Sequence, residues 1–226
     1  MSRKLVVFDF CETLVTFQTA DKFIDFVIEK ANYTNFRGVG ILTTILSKLR
    51  FLAVVSKLFP KFNLTKRLKL YQIKGVSKMT IDTLAIQYYN EILIHNKILP
   101  LHELLLKHID NNDHILIVSG GYAPYIKHFS EKHKLQYAFA TEIEFKNDKA
   151  TGMFSGKDCL FNQKVVLIES YLTNNKIVFE ESIAYSDGIT DLPLLRWADK
   201  SFVVSKGKSQ KWALENGYGE IIWKND

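Results

Sequence analysis

Lys4-Leu5-Val6-Val7-Phe8-Asp9-Phe10-Cys11-Glu12-Thr13-Leu14 is the stretch on which the reading of this chain turns. Residues 4–10 form an almost unbroken β-branched and aromatic run, the pattern of a strand buried on both faces, and the run breaks off in polar Cys11-Glu12-Thr13. Two further runs of this kind follow. Residues 114–119 end at Gly120-Gly121, and residues 182–186 end at Asp187-Gly188. Helical spacing fills the intervals: residues 21–96 throughout, 101–108 opened by Pro100, 123–133, 164–172 and 192–198. Residues 137–145 and 152–155 flank Lys146-Asn147-Asp148-Lys149 as a hairpin, and 202–204 and 220–223 supply shorter strands. Strands alternating with helices predict an α/β fold with a Rossmann-like parallel sheet, whose ligands gather at the carboxyl ends of the strands. The core is expected over residues 1–14 and 97–226, with residues 15–96 as an inserted, basic, all-helical domain.

Composition removes several classes. At 226 residues, 47% hydrophobic and 24% charged, with 11 Gly and 4 Pro, the chain is neither collagen-like, nor a coiled coil, nor disordered. Two cysteines make no disulfide framework, and Cys159 reads as a packing residue and not as a redox partner of Cys11. The six histidines lack Cys/His ligand spacing, and His102, His108 and the others read as solvated helix or loop residues. The apolar run that precedes Asp9 is too short for a signal peptide, which points to the cytoplasm.

The net charge of +6 conceals an asymmetry. Residues 30–81 contain eleven bases and no acid, leaving 19 bases and 24 acids elsewhere. Within that stretch Ile41, Leu42, Ile45, Leu46, Leu49, Leu52, Val55 and Leu58 recur near helical spacing with bases interleaved. Three readings fit: a helical subdomain with a solvated charged face, a surface that draws an anionic substrate, and a helix in peripheral contact with an anionic membrane. No recognition motif accompanies the charge, so nucleic acid is not an expected partner. Lys48, Arg50 and Lys57 interrupt any window of the roughly 20 residues a membrane span needs.

Asp9 to Thr13, Ser119 to Gly121 and Asp187 to Asp191 are polar clusters that each follow an apolar strand. Carboxylates gathered at one sheet edge repel one another unless a cation is present, and a small set of oxygen ligands suits Mg²⁺. With phosphoryl charge so neutralised, Asp9 can attack phosphorus, while Ser119 and the Gly120 amide donate to the phosphoryl oxygens. Lys157 and Lys164 are the candidates for a partnering cation.

These residues resemble the haloacid dehalogenase superfamily, in particular its phosphoserine-phosphatase-like branch with a helical C1-type cap (subfamily IB). Asp9-Phe10-Cys11-Glu12-Thr13 is similar to the first motif, D-x-D-x-T, Val118-Ser119-Gly120 to the second, and Asp187-Gly188-Ile189-Thr190-Asp191 to the fourth. Thr141-Glu142-Ile143-Glu144, Thr151-Gly152 and Cys159 ahead of Lys164 resemble the stretch leading to the third, and so select Lys164 over Lys157. The resemblance implies a phosphohydrolase that forms a phospho-aspartate on Asp9, with Mg²⁺ held by Asp9, the Cys11 carbonyl and Asp187, and by Asp191 through water. It also implies that Thr13 buttresses the substrate loop, that Ser119 and Gly120 hold the phosphoryl group, and that Lys164 pairs with it.

Two positions depart from the family pattern. Cys11 stands where family phosphatases carry a second aspartate that protonates the leaving oxygen and later activates water. A thiol with a reference pKa of about 8.5 serves that cycle poorly. The alternatives are therefore an impaired phosphate- and Mg²⁺-binding protein, or a phosphotransferase. Gln18 stands where phosphoserine phosphatases read the substrate ammonium with glutamate, which disfavours free phosphoserine. The basic insertion looks similar to that of bacterial phosphatidylglycerophosphate phosphatases, which implies a lipid or other multiply anionic phosphate.

Overall fold

In the computed structural model, which describes residues 4–33 and 63–224, the first strand, β1 (Leu5–Phe8), is fully buried along its whole length. Alternation divides its side chains between two cores. Val6 and Phe8 join one apolar cluster, and Leu5 and Val7 join the other with Leu116, Val118, Ala184 and Val203. This is why the run lacks polar residues: neither face of the strand meets water.

The remaining elements are α1 (Thr19–Lys30), α2 (Leu64–Tyr71), α3 (Lys78–Glu91), α4 (Leu99–Asp110), β2 (His114–Tyr122) and α5 (Ala123–Lys132). They continue with β3 (Tyr137–Thr141), β4 (Ile143–Lys146), β5 (Lys149–Phe154), α6 (Asn162–Asn174), β6 (Ser182–Ser186), α7 (Leu192–Trp197), β7 (Lys200–Lys206), α8 (Lys211–Glu215) and β8 (Gly219–Trp223). A six-stranded sheet of order β3-β2-β1-β6-β7-β8 is parallel at every pairing. The chain winds outward from β1 on one side and then crosses to β6 on the other, so the crevice at the carboxyl end of β1 is a topological switch point. The expected α/β, Rossmann-like parallel sheet is present.

Residues 137–145, read as one hairpin arm, are two strands. Residues 137–141 pair with β2 in the parallel sheet, and 143–146 pair antiparallel with β5. Both halves alternate in the same way, so only their partners tell them apart.

After Leu14 the chain leaves the sheet, and it returns at Asn96–Ile98. The two passes are hydrogen-bonded, Thr16 N to Asn96 O at 2.9 Å and Ile98 N to Leu14 O at 3.0 Å. Between them, α1 packs on α2 and α3, and α3 lies against α5. Ser77 caps α3 by accepting from Thr80 N at 3.1 Å. The apolar residues from Ile41 to Leu58 that suggested amphipathic helices lie outside the described residues. Among the described residues no helix is long and apolar enough to cross a membrane.

The histidines correct an expectation. His102, His108 and His114 are buried, not solvated. His108 sets Nδ1 at 2.7 Å from Asp113 Oδ2 and Nε2 at 3.1 Å from the Tyr185 hydroxyl. His102 Nε2 donates to the Leu14 carbonyl at 3.0 Å, beside the stem of the insertion. Burial, with help from Lys97 and His133, pulls the His102 pKa down to about 4. The unfolded chain therefore takes up a proton near pH 6.5 that the folded one refuses until about pH 4, so stability falls as pH drops through that window. Between pH 7 and pH 4.5, chemical denaturation should show the wild type losing on the order of 2 kcal/mol relative to His102→Gln, the carboxylates contributing alike to both proteins. Equal pH dependence in the two proteins would contradict it.

Candidate active site

Three strand ends converge on one cavity of about 310 Å³, lined by Asp9, Cys11, Gln18, Lys66, Gly120, Lys164, Asp187 and Asp191 among others. Asp9 follows β1 directly and its amide donates to the Tyr185 carbonyl at 2.9 Å, which locks the carboxylate to the sheet edge. The loop beyond reverses through Glu12 at φ 54°, a left-handed conformation uncommon for a residue with a Cβ. That reversal brings Thr13 back beneath the acids. Its buried hydroxyl lies 3.4 Å from both Asp9 Oδ2 and Asp187 Oδ1, so it touches carboxylates rather than the cavity.

Lys164, on the first turn of α6, is buried with its ammonium 2.8 Å from Asp9 Oδ1 and 2.5 Å from Asp191 Oδ2. Burial pulls this lysine's pKa down, but Asp191 and Asp9 outweigh it and the pKa is raised. Asp191 Oδ2 also accepts from Ser186 Oγ at 2.6 Å. Lys157, the other candidate, is exposed.

One lysine does not balance three acids. Burial pushes Asp9 up to about 6, with Lys164 opposing, and pushes Asp187 up to about 8, aided by repulsion from Asp9, Asp191 and Glu12. The site lacks positive charge. Hard carboxylate oxygens short of a counter-ion fit Mg²⁺. Among the described residues no three His, Cys, Asp or Glu side chains are grouped closely enough to cage a metal on their own. A main-chain carbonyl and water would have to complete the shell, which is ordinary for Mg²⁺.

The second strand, expected to end at Ser119, runs on to Tyr122, and its register against β3 shifts between Val118 and Tyr122, so Ser119 and Gly120 sit in an irregular stretch of β2. Ser119 is fully buried, its Oγ accepting from Gly121 N at 3.0 Å. A Cβ on Gly120 would stand 2.5 Å from Leu160 Cδ2, so a side chain here would have to displace Leu160. Cys11 Sγ lies 3.0 Å from Thr19 Oγ1 and 3.8 Å from Ser119 Oγ, and burial, with Asp9 nearby, pushes its thiol up to about 11. Thr19 in turn meets the Tyr125 hydroxyl at 2.6 Å. Gln18 is exposed at the rim and donates to Glu12 Oε2 at 2.5 Å. The structure thus brings Asp9, Cys11, Gln18, Gly120, Lys164, Asp187 and Asp191 to one cavity, with Thr13 and Ser119 behind its wall.

Sequence reasoning missed Lys66, on α2. It lines the cavity and is buried, bonded to Gly120 O, Thr141 Oγ1 and Asp158 Oδ1. In the sequence it is one base in a run of eleven, with nothing to set it apart.

The family profile of haloacid dehalogenase-like hydrolases matches residues 6–196. The phosphoserine phosphatase of Methanocaldococcus jannaschii is 27% identical over 199 residues, covering 87% of this chain and 82% of that protein. A protein of unknown function from Bordetella pertussis Tohama I superposes with a TM-score of 0.82 at 18% identity, over 98% of this chain and 99% of that one. A phosphoserine phosphatase solved as a phospho-aspartyl intermediate analogue superposes with a TM-score of 0.66 at 21% identity, over 100% of this chain and 96% of that one.

Proposed function

Because this chain belongs to the haloacid dehalogenase-like hydrolase family, we propose that it is a Mg²⁺-dependent phosphohydrolase acting through a phosphorylated Asp9. The observation that carries this reading is the buried Lys164 held between Asp9 and Asp191, with Asp187 still short of a counter-ion. Asp9, Asp187 and the Cys11 carbonyl would hold the metal, with Asp191 supporting it from behind. Mg²⁺ bound there supplies positive charge that lets a carboxylate approach an anionic phosphorus.

An Asp9 oxygen forms the bond to phosphorus as the bond to the leaving oxygen breaks. Lys164 neutralises the charge that Asp9 shares with the transferring group; the Gly120 amide at the cavity wall, with the Ser119 hydroxyl just behind it, would donate to its oxygens. Water then attacks phosphorus, releasing phosphate and restoring Asp9. The inserted segment, whose described part places Gln18, Asp21 and Lys66 along the cavity, would serve as the cap that sets specificity.

Cys11 favours a second reading. A neutral thiol near the cavity neither protonates a poor leaving oxygen nor activates water efficiently, so the phosphorylated protein is long-lived and open to transfer to an acceptor other than water. The test is phosphate release from aryl, acyl and alkyl phosphates with and without Mg²⁺, beside trapping with beryllium fluoride. Metal-dependent release from esters with good leaving groups is expected. Trapping without turnover on any ester would instead establish the binding-protein alternative, and turnover that ignores Mg²⁺ would exclude the proposal.

For the substrate, we carry forward a multiply anionic phosphate such as an anionic lipid, since Gln18 lacks the charge that the family resemblance implies for reading a substrate ammonium. Of the described bases in the basic run, Lys30 pairs with Glu91, Lys69 with Asp25, and Lys78 with Asp82. Lys66 pairs with Asp158, so at least four of the six described bases are matched to acids, and attraction to lipid would draw on Lys74 and the bases outside the described residues. Flotation with vesicles containing anionic phospholipid should carry the protein upward at low salt and release it at high salt. Protein left at the bottom would remove the lipid variant.

A further inference from the structure

Lys66 uses all of its donors before any substrate arrives. An ammonium has three N–H groups, and here they meet Gly120 O at 2.6 Å, Thr141 Oγ1 at 2.8 Å and Asp158 Oδ1 at 2.5 Å. Thr141 Oγ1 donates onward to Asp158 Oδ1 at 2.5 Å, and Asn63 Nδ2 donates to Asp158 Oδ2 at 3.3 Å. The rings of Tyr122 and Phe154 stand 5.2 and 5.1 Å from the charge. Lys66 is therefore a fixed structural cation and not a free hand for the substrate.

What it fixes is one peptide plane. In a trans peptide the carbonyl and the following N–H point in opposite directions. Holding the Gly120 carbonyl on Lys66 therefore turns the Gly121 N–H the other way, onto Ser119 Oγ at 3.0 Å. The hydroxyl then accepts there, which leaves its own O–H, whose other neighbour is the weak acceptor Cys11 Sγ at 3.8 Å, as the donor for a phosphoryl oxygen. Leu160, two residues past Asp158, occupies the space a Cβ on Gly120 would need, so a larger residue at 120 would have to displace it. Resting on the phosphoryl-transfer reading above, we propose that Lys66, delivered by α2 from the inserted segment, is a positioning residue that orients the Ser119 hydroxyl through the Gly120–Gly121 peptide. Docking of α2 then completes the phosphoryl-binding turn.

The test is a double-mutant cycle between this ion pair and Ser119. Removing the lysine alone strands a buried Asp158, so Lys66→Met and Asp158→Asn are made together as one neutral change. With an aryl phosphate and Mg²⁺, that change should lower kcat on the order of 10²-fold and move KM by less than about threefold. Added to Ser119→Ala, it should cost almost nothing further, because both act through one hydroxyl. Lys66→Arg keeps the charge but misplaces its donors, and should show a smaller loss, about tenfold, with the same non-additivity. Additive losses, or full activity in either variant, would overturn the proposal. If the wild type hydrolyses no ester, the enzymatic reading fails by itself, and the same cycle is read as affinity for inorganic phosphate. Binding unchanged by the Lys66/Asp158 change would then overturn the positioning role separately.

Discussion

Asp9→Asn is expected to lower kcat for phosphate release by at least ~10⁴-fold while the protein stays folded, the scale seen when a covalent nucleophile is removed. The two halves of this expectation have separate causes. An amide oxygen is far too weak a nucleophile to form the bond to phosphorus, so the covalent route closes. The fold survives because Lys164 keeps Asp191 at 2.5 Å, and because Asp187 loses a negative neighbour that was raising its pKa. Thermal melting within a few degrees of wild type, together with absent turnover, is the predicted pair of results. Turnover within tenfold of wild type would mean that Asp9 is not the nucleophile. A collapse in melting temperature would mean that the Lys164–Asp9 bond carries stability that Asp191 cannot replace.

Much of this site could be read from the chain because its residues sit where an apolar run gives way to polar residues. Asp9, Ser119 and Asp187 each follow a run of apolar residues, and a buried strand that ends in a carboxylate is legible without coordinates. β6 spans the 182–186 expected for it, since its apolar run is short and cleanly bounded. The errors have a common origin in long-range partners. The division of residues 137–146 between two sheets depends on which strand lies alongside each half. His108 is buried because Asp113 and Tyr185 satisfy both of its nitrogens, and nothing in the spacing of 108, 113 and 185 announces that. Lys66 is the clearest case. A base surrounded by bases reads as solvated, and its partners at 120, 141 and 158 come from three separate segments.

Cys11→Asp is expected to raise the rate on alkyl phosphates by about 10²-fold or more, within the ~10²–10⁴ range of general acid–base catalysis. The surroundings of Cys11 supply the reason. Burial and Asp9 together lift the thiol to about 11, and they would also lift a carboxyl placed there. A carboxylic acid with a raised pKa donates a proton to a leaving oxygen near neutral pH, whereas this thiol does not. Thr19 Oγ1, 3.0 Å from the sulfur, and Ser119 Oγ, 3.8 Å away, are placed to hydrogen-bond the new oxygens. A thermodynamic cost accompanies the gain, because a second acid is buried beside Asp9 where charge repulsion already operates. The discriminating measurement is rate against leaving-group pKa over a series of phosphate esters. Wild type should fall steeply as the leaving group becomes more basic, since its departing oxygen leaves unprotonated, and the variant should give a shallower line. Parallel lines would show that Cys11 does not occupy the proton-transfer position. A slower variant across the whole series would mean that the site is adapted to a neutral side chain there, and hence to transfer rather than hydrolysis.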